Sequence, residues 1–193
     1  MDEQLNAAQA RDHIEMVARI LEESQQRLCA GGEFFVVWGL FGAFVTLLGH
    51  FVASRALPSQ ALWAGLVALI AAIAFSIRRG RILRVESERG SLLQREFFNV
   101  LWITIGMGFV ANLAVFNIFR GIASAAIWNF ADAIVLFYIG MHGNRRAQVA
   151  GIAVVVSLVV ANFTSGDVGA YVLAAGVFAG YCGFGVAELL SRD

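Results

Sequence analysis

Apolar and polar residues alternate along this chain in blocks. From Phe34 onward, long apolar runs are separated by short polar breaks. A run of roughly 20 residues, with about 17 as the lower limit, is what a helix needs to cross the hydrocarbon core of a bilayer. That length predicts six spans, at 34–53, 60–77, 97–118, 122–141, 147–163 and 170–190. Before Phe34 the pattern changes. Ala7, Ala10, Ile14, Val17, Leu21, Ser24 and Leu28 recur at alternating three- and four-residue steps, an apolar stripe on one face of a helix over residues 4–29. Asp2 or Asn6 offers a cap at its start, and Gly31 and Gly32 a stop and a hinge before the first span. The expected fold is therefore an all-α integral membrane protein. Residues 1–32 form a cytoplasmic amphipathic helix, and residues 33–193 form a transmembrane domain of six helices arranged as three hairpins. Met1 to Gly32 lacks the apolar core of a secretory signal, so the N-terminus is expected to be retained.

Composition agrees with this pattern. Of 193 residues 59% are hydrophobic and 15% charged, with one proline and a positive mean hydropathy, which excludes an ordinary soluble domain. All 14 cationic side chains are arginine, and they balance 14 acids, so no bulk attraction to nucleic acid is expected. Their placement sets the orientation, because short Arg-rich loops stay on the cytoplasmic side. Twelve arginines fall on one side of the six-span arrangement, and only Arg55 and Arg120 on the other. Both termini are predicted to be cytoplasmic, with the protein in the bacterial inner membrane. Cys29 and Cys182, read as cytoplasmic-facing and far apart in sequence, supply neither a disulfide framework nor a thiolate metal site.

The first two hairpins look alike. Glu33-Phe34-Phe35-Val36-Val37-Trp38 opens span one, and Glu96-Phe97-Phe98-Asn99-Val100-Leu101-Trp102 opens span three with one residue inserted. Ala61-Leu62-Trp63 and Ala126-Ile127-Trp128 mark the second helix of each, and the arginine pairs Arg78-Arg79 and Arg145-Arg146 close them. Two explanations stay open. One is a parallel repeat about an axis along the membrane normal; the other is that carboxylates and aromatics gather at membrane boundaries independently of ancestry.

Charge then proposes contacts. Residues 1–33 carry seven acids (Asp2, Glu3, Asp12, Glu15, Glu22, Glu23 and Glu33) against three arginines, a balance that favours a protein surface over anionic lipid. The stretch Arg78 to Glu96 has six arginines and three glutamates, with Ile82, Val85, Leu92 and Leu93 as apolar contacts. The N-terminal helix is expected to dock there, in the same chain or across a homo-oligomer. Arg78, Arg79, Arg81 and Arg84 are the candidate contacts to lipid headgroups or to a partner protein; a headgroup contact contributes about 1 kcal/mol near the surface.

Within the spans one residue demands explanation. Asp132 falls near the middle of span four, about 15 Å from either end at 1.5 Å per residue, where a carboxylate costs roughly 2.5 to 3.5 kcal/mol and marks a functional site by default. Asn129, Asn112, Ser157 and Tyr181 are expected at similar depth, forming a polar cluster for a proton, an ion or a small ligand. The competing reading makes them interhelical hydrogen bonds around a neutral carboxyl. His13, His50 and His142 do not converge, and no metal site or cofactor is expected. Gly39, Gly42, Gly106, Gly108, Gly176, Gly180, Gly183 and Gly185 predict close helix packing without identifying the partner helices. No nucleophile with a base, no HExxH and no phosphate loop occurs, so the protein is read as not an enzyme.

The run from Ile14 to Leu28, followed by Gly31-Gly32 and Phe34-Phe35-Val36-Val37-Trp38-Gly39, resembles a family of small bacterial multi-pass membrane proteins of uncharacterised function. Its members are often encoded beside winged-helix transcription regulators. The resemblance covers most of the chain in layout and is most specific over residues 14–42. It implies a membrane partner in regulation and carries over no catalytic residue. The expected function is a sensor or scaffold that engages a partner chain through its cytoplasmic helix and Arg-rich loop. The alternative is a small transporter or channel subunit with a midplane site at Asp132.

Overall fold

The computed structural model describes residues 31–86, 92–116, 121–164 and 167–191, with side chains described outside 80–98 and 112–123. The proposed helix over residues 4–29 lies outside the described residues. All regular structure among the described residues is helical: α1 (Gly32–Ala53), α2 (Leu62–Glu86, entered through the short turn Ser59–Ala61), α3 (Leu92–Phe116), α4 (Gly121–Met141), α5 (Arg145–Phe163) and α6 (Asp167–Leu189). Five apolar stretches are long enough to cross a membrane: Gly32–Ala53, Ser59–Arg79, Ser124–Met141, Arg145–Phe163 and Asp167–Leu189. The third predicted span coincides with α3, within which Asn99–Ala111 is apolar among the residues whose side chains are described.

Local chemistry sets the helix boundaries. Arg55 takes a left-handed backbone (φ 61°) just after α1, where Ser54 N–H returns to His50 C=O and Leu57 N–H to Phe51 C=O. Gly143 (φ +89°) makes the tight turn between α4 and α5, a conformation that favours glycine. Asn144 then caps α5, its side-chain oxygen accepting from Ala147 N–H at 3.3 Å. Within α6, Phe178–Cys182 widens into one π turn, a local feature that recurs at functional sites.

Four helices make the core. α1, α4, α5 and α6 pack in a ring, α1 against α6 along its whole length, with α1 and α6 each also touching α4. Phe35, Val135, Leu136, Ile139, Val154, Tyr181 and Phe184 fill the centre. α2 packs on α1 and α3 on α4, and among the described residues neither forms a further seam. Their outer faces are apolar and open, with Trp63 68%, Trp102 69% and Ile103 65% exposed, as expected of surfaces that meet lipid.

This arrangement places the two similar hairpins in unlike surroundings. In the first, the opening helix α1 belongs to the core and α2 lies outside; in the second, α3 lies outside and α4 belongs to the core. Trp38 packs against the core, whereas its counterpart Trp102 faces out. The sequence likeness is thus not accompanied by equivalent packing, which fits aromatics gathering at membrane boundaries.

The Arg-rich stretch is also not one long loop. The backbone of α2 stays helical to Glu86 and that of α3 starts at Leu92, so Arg78, Arg79, Arg81 and Arg84 continue the α2 helix beyond its apolar part.

Candidate functional site

Two polar groupings stand out, one inside the bundle and one at its arginine-bearing end. The inner one is built on α4. Phe130, Ile134 and Met141 are exposed on its outer side (59%, 40% and 79%), and at 100° per residue Asp132 points the opposite way, into the bundle. The Tyr181 hydroxyl, carried by the π turn of α6, donates to the Asp132 main-chain carbonyl at 3.1 Å and lies within reach of its carboxyl group. These two expected site residues come together.

The others do not join them. Asn129, 2% exposed, donates from Nδ2 to Leu173 C=O on α6 at 3.4 Å, about two turns from Tyr181. Ser157 is buried and donates to Val154 C=O in its own helix at 2.7 Å. It sits where α5 and α6 approach most closely, so that a Cβ placed on Gly176 would collide with its side chain. Asn129 thus makes an interhelical hydrogen bond and Ser157 an intrahelical one, neither directed at Asp132. Asn112 lies on the α3 backbone helix, and its side chain is outside the described residues.

Thr104 is a polar neighbour that the sequence reading passed over. A Cβ on Gly108 of α3 would meet the Trp128 ring of α4 at 3.3 Å. Because consecutive helices of a hairpin run antiparallel, four residues before Gly108 stands beside four residues after Trp128, which places Thr104 at the level of Asp132. Thr104 is 9% exposed. A hydroxyl one turn from a buried glycine and facing the next helix was the available signal.

The second grouping ties helix ends together. Glu33 at the start of α1 receives a hydrogen bond from Arg79 Nη2 at 3.2 Å, and Arg79 Nε lies 2.5 Å from its other oxygen. Asn144 Nδ2 donates to Glu188 Oε1 at 2.8 Å while its oxygen caps α5. Arg146 Nη1 donates to Ala187 C=O at 2.8 Å, satisfying the C-terminal end of α6. Glu188 is 7% exposed. It was missed because a lone glutamate after an apolar run reads as interfacial. Arg78, Arg145 and Arg146 are exposed, and the side chains of Arg81 and Arg84 are outside the described residues.

At the opposite end His50 Nε2 contacts Asp167 Oδ1 at 3.0 Å, with the Phe51 and Tyr171 rings alongside. Among the described residues no group of three or more His, Cys, Asp or Glu could hold a metal ion. Cys182, expected on the cytoplasmic side, is instead buried between α6 and α1, its thiol donating to Val36 C=O at 3.3 Å. Set against known protein families, curated proteins and solved structures, the chain matches none of them.

Proposed function

We propose that this is a six-span sensor or scaffold of the bacterial inner membrane, with both termini in the cytoplasm, that acts on a partner chain at its cytoplasmic face. The carrying observation is the set of polar clamps at one end of the helices. Glu33 with Arg79, Asn144 with Glu188, and Arg146 with the α6 terminus fix the ends of α1, α2, α5 and α6, while Arg78 and Arg145 remain exposed. A rigid end with free cations suits docking of an acidic, amphipathic helix such as residues 4–29, or of a partner protein; anionic headgroups share the rim.

The test is photo-crosslinking in cells from probes placed at Arg78 and Arg145. A discrete protein adduct is expected, and it should disappear on deletion of residues 1–30 and in Arg78→Glu/Arg145→Glu. Lipid adducts alone would overturn the reading. The second reading, a transporter or channel subunit, draws on the inward-facing Asp132 with Tyr181 beside it. Asp132→Asn would abolish flux in that case and leave the crosslink intact.

A further inference from the structure

One pair of titratable side chains belongs neither to the Asp132 grouping nor to the arginine-bearing end. At the far end of the bundle His50 Nε2 lies 3.0 Å from Asp167 Oδ1. His50 stands in the last turn of α1 and Asp167 in the first turn of α6. Each helix end favours the charge that its residue can carry, a cation near free carbonyls and an anion near free N–H groups. The imidazole is mostly covered, at 11% exposure, while the carboxylate, at 71%, is open to its surroundings. The Phe51 and Tyr171 rings flank the imidazole, with centroids 5.8 and 6.1 Å away. Tyr171 follows Asp167 by one turn, so one face of α6 supplies both the charge and the packing. Arg55, in the turn after α1, is the remaining charged side chain at this end among the described residues, and Arg120 lies outside them. α5 ends in Asn162, Phe163 and Thr164, and α2 is entered through Ser59 and Gln60, none of which is charged.

The seam between α1 and α6 changes character along its length. Its close backbone contacts lie at Gly32, Gly39 and Gly42 of α1, whereas a Cβ on Gly49 would meet nothing within 4 Å. Gly42 stands about two turns before His50. Beyond it the two helices meet through side chains, His50 with Asp167 and Phe51 with Tyr171, the latter at 6.4 Å between ring centroids. There the polar contact carries a share of the joining that glycine packing carries elsewhere. A neutral imidazole offers the carboxylate one ordinary hydrogen bond from Nε2–H, and an imidazolium offers a charge-assisted one, roughly twice as strong. Histidine is the side chain that ordinarily changes between these forms in the range of about pH 5 to 8. The added strength is present on the acidic side of that change and is lost as pH rises through it.

We propose that His50 and Asp167 form a pH-responsive latch that ties the far ends of α1 and α6 together more strongly when the imidazole is protonated. On the proposed topology this end faces away from the cytoplasm, so the stimulus it reads is external acidity; that clause rests on the topology, and the latch itself does not. The test is the thermal midpoint of the full chain in detergent, measured for wild type and Asp167→Asn at about pH 5 and about pH 8, the two sides of the histidine range. At the acidic pH, Asp167→Asn should lower the midpoint by about 2 to 4 °C, and at the alkaline pH by less than half as much. In a His50→Gln background the same substitution should act equally at both pH values. Hydrogen exchange of the first turns of α6, compared between wild type and Asp167→Asn at one pH at a time, reads the junction locally and should be faster in the variant mainly on the acidic side. An Asp167→Asn effect that is absent, equal at both pH values, larger at the alkaline one, or unchanged by His50→Gln would overturn the latch. Both readouts use the isolated chain, so their failure leaves the crosslinking result untouched, and a failed crosslink leaves them untouched.

Discussion

α1 has two seams of opposite character. Toward α6 the contact is between backbones. Gly32 and Gly185 face each other, a Cβ on Gly39 would fall 2.7 Å from Tyr181 Cβ and 2.8 Å from Cys182 N, and one on Gly42 would lie 2.9 Å from Val177. Toward α2 the contact is between side-chain tips: Arg79 on Glu33, Phe75 against Phe34 with ring centroids 6.3 Å apart, and Trp38 Nε1 donating to Ser76 Oγ at 3.1 Å. The apolar stretch of α6 is 56% buried and that of α2 only 6%. In lipid there is little hydrophobic gain from joining two apolar helices, so close packing and polar contacts decide association. The glycine seam supplies many atoms in close contact over the whole helix. The tip seam supplies a few separate bonds, so α2 is an outrigger that can be lost while the core persists.

The largest break in this contrast is expected from Gly185→Val. Its Cβ would lie 2.5 Å from Gly32 C=O and 2.8 Å from Val36 N, both backbone atoms that cannot move aside. A destabilisation of about 3 kcal/mol, at the upper end for overpacking, should appear as a lower thermal midpoint in detergent. Gly183→Ala, two residues earlier with nothing within 4 Å, should leave that midpoint unchanged or raise it slightly. Next is Asn144→Ala, which removes a helix cap and leaves Glu188 buried without its donor; about 2 kcal/mol is expected. Double substitution Asn144→Ala/Glu188→Leu should recover part of the loss, because the stranded carboxylate is gone. The smallest effect belongs to the outrigger. Trp38→Phe forfeits the Ser76 bond, worth about 0.6 kcal/mol between membrane helices. Increased protease or crosslinker access to α2 with an unchanged core midpoint would sharpen the contrast, whereas global unfolding would contradict it.

Helix positions were legible in the sequence because apolar run length tracks bilayer thickness, and five of the predicted spans coincide with apolar helices of membrane-spanning length. Contact partners were less legible. The Gly176/Gly180 spacing announces close approach, but only the fold shows Gly176 against Ser157 and Gly180 against Val154 and Ala150, all on α5. The Arg78-to-Glu96 stretch reads as a loop from its charge alone, yet leucine, isoleucine, arginine and glutamate are good or fair helix formers, and the helix runs on. Depth along a span could be counted, which brought Asp132 and Tyr181 into one group. Direction around the axis could not be fixed, because helices apolar on nearly every side have little amphipathic contrast. For that reason Asn129 and Ser157 were grouped with Asp132, although each faces its own partner.

The single π turn in α6 acts as a shift of reading frame. An α-helix presents a fixed sequence of faces, so a stripe of small residues begun toward one neighbour would continue toward the same neighbour to its end. The extra residue within Phe178–Cys182 resets that phase. Gly176 before it and Gly180 within it address α5; after it Gly185 addresses α1, and Glu188 meets the α5 cap at Asn144. One nearly continuous rod thereby serves two addresses, and an insertion or deletion of one residue in this turn would deliver every group after it to the wrong helix.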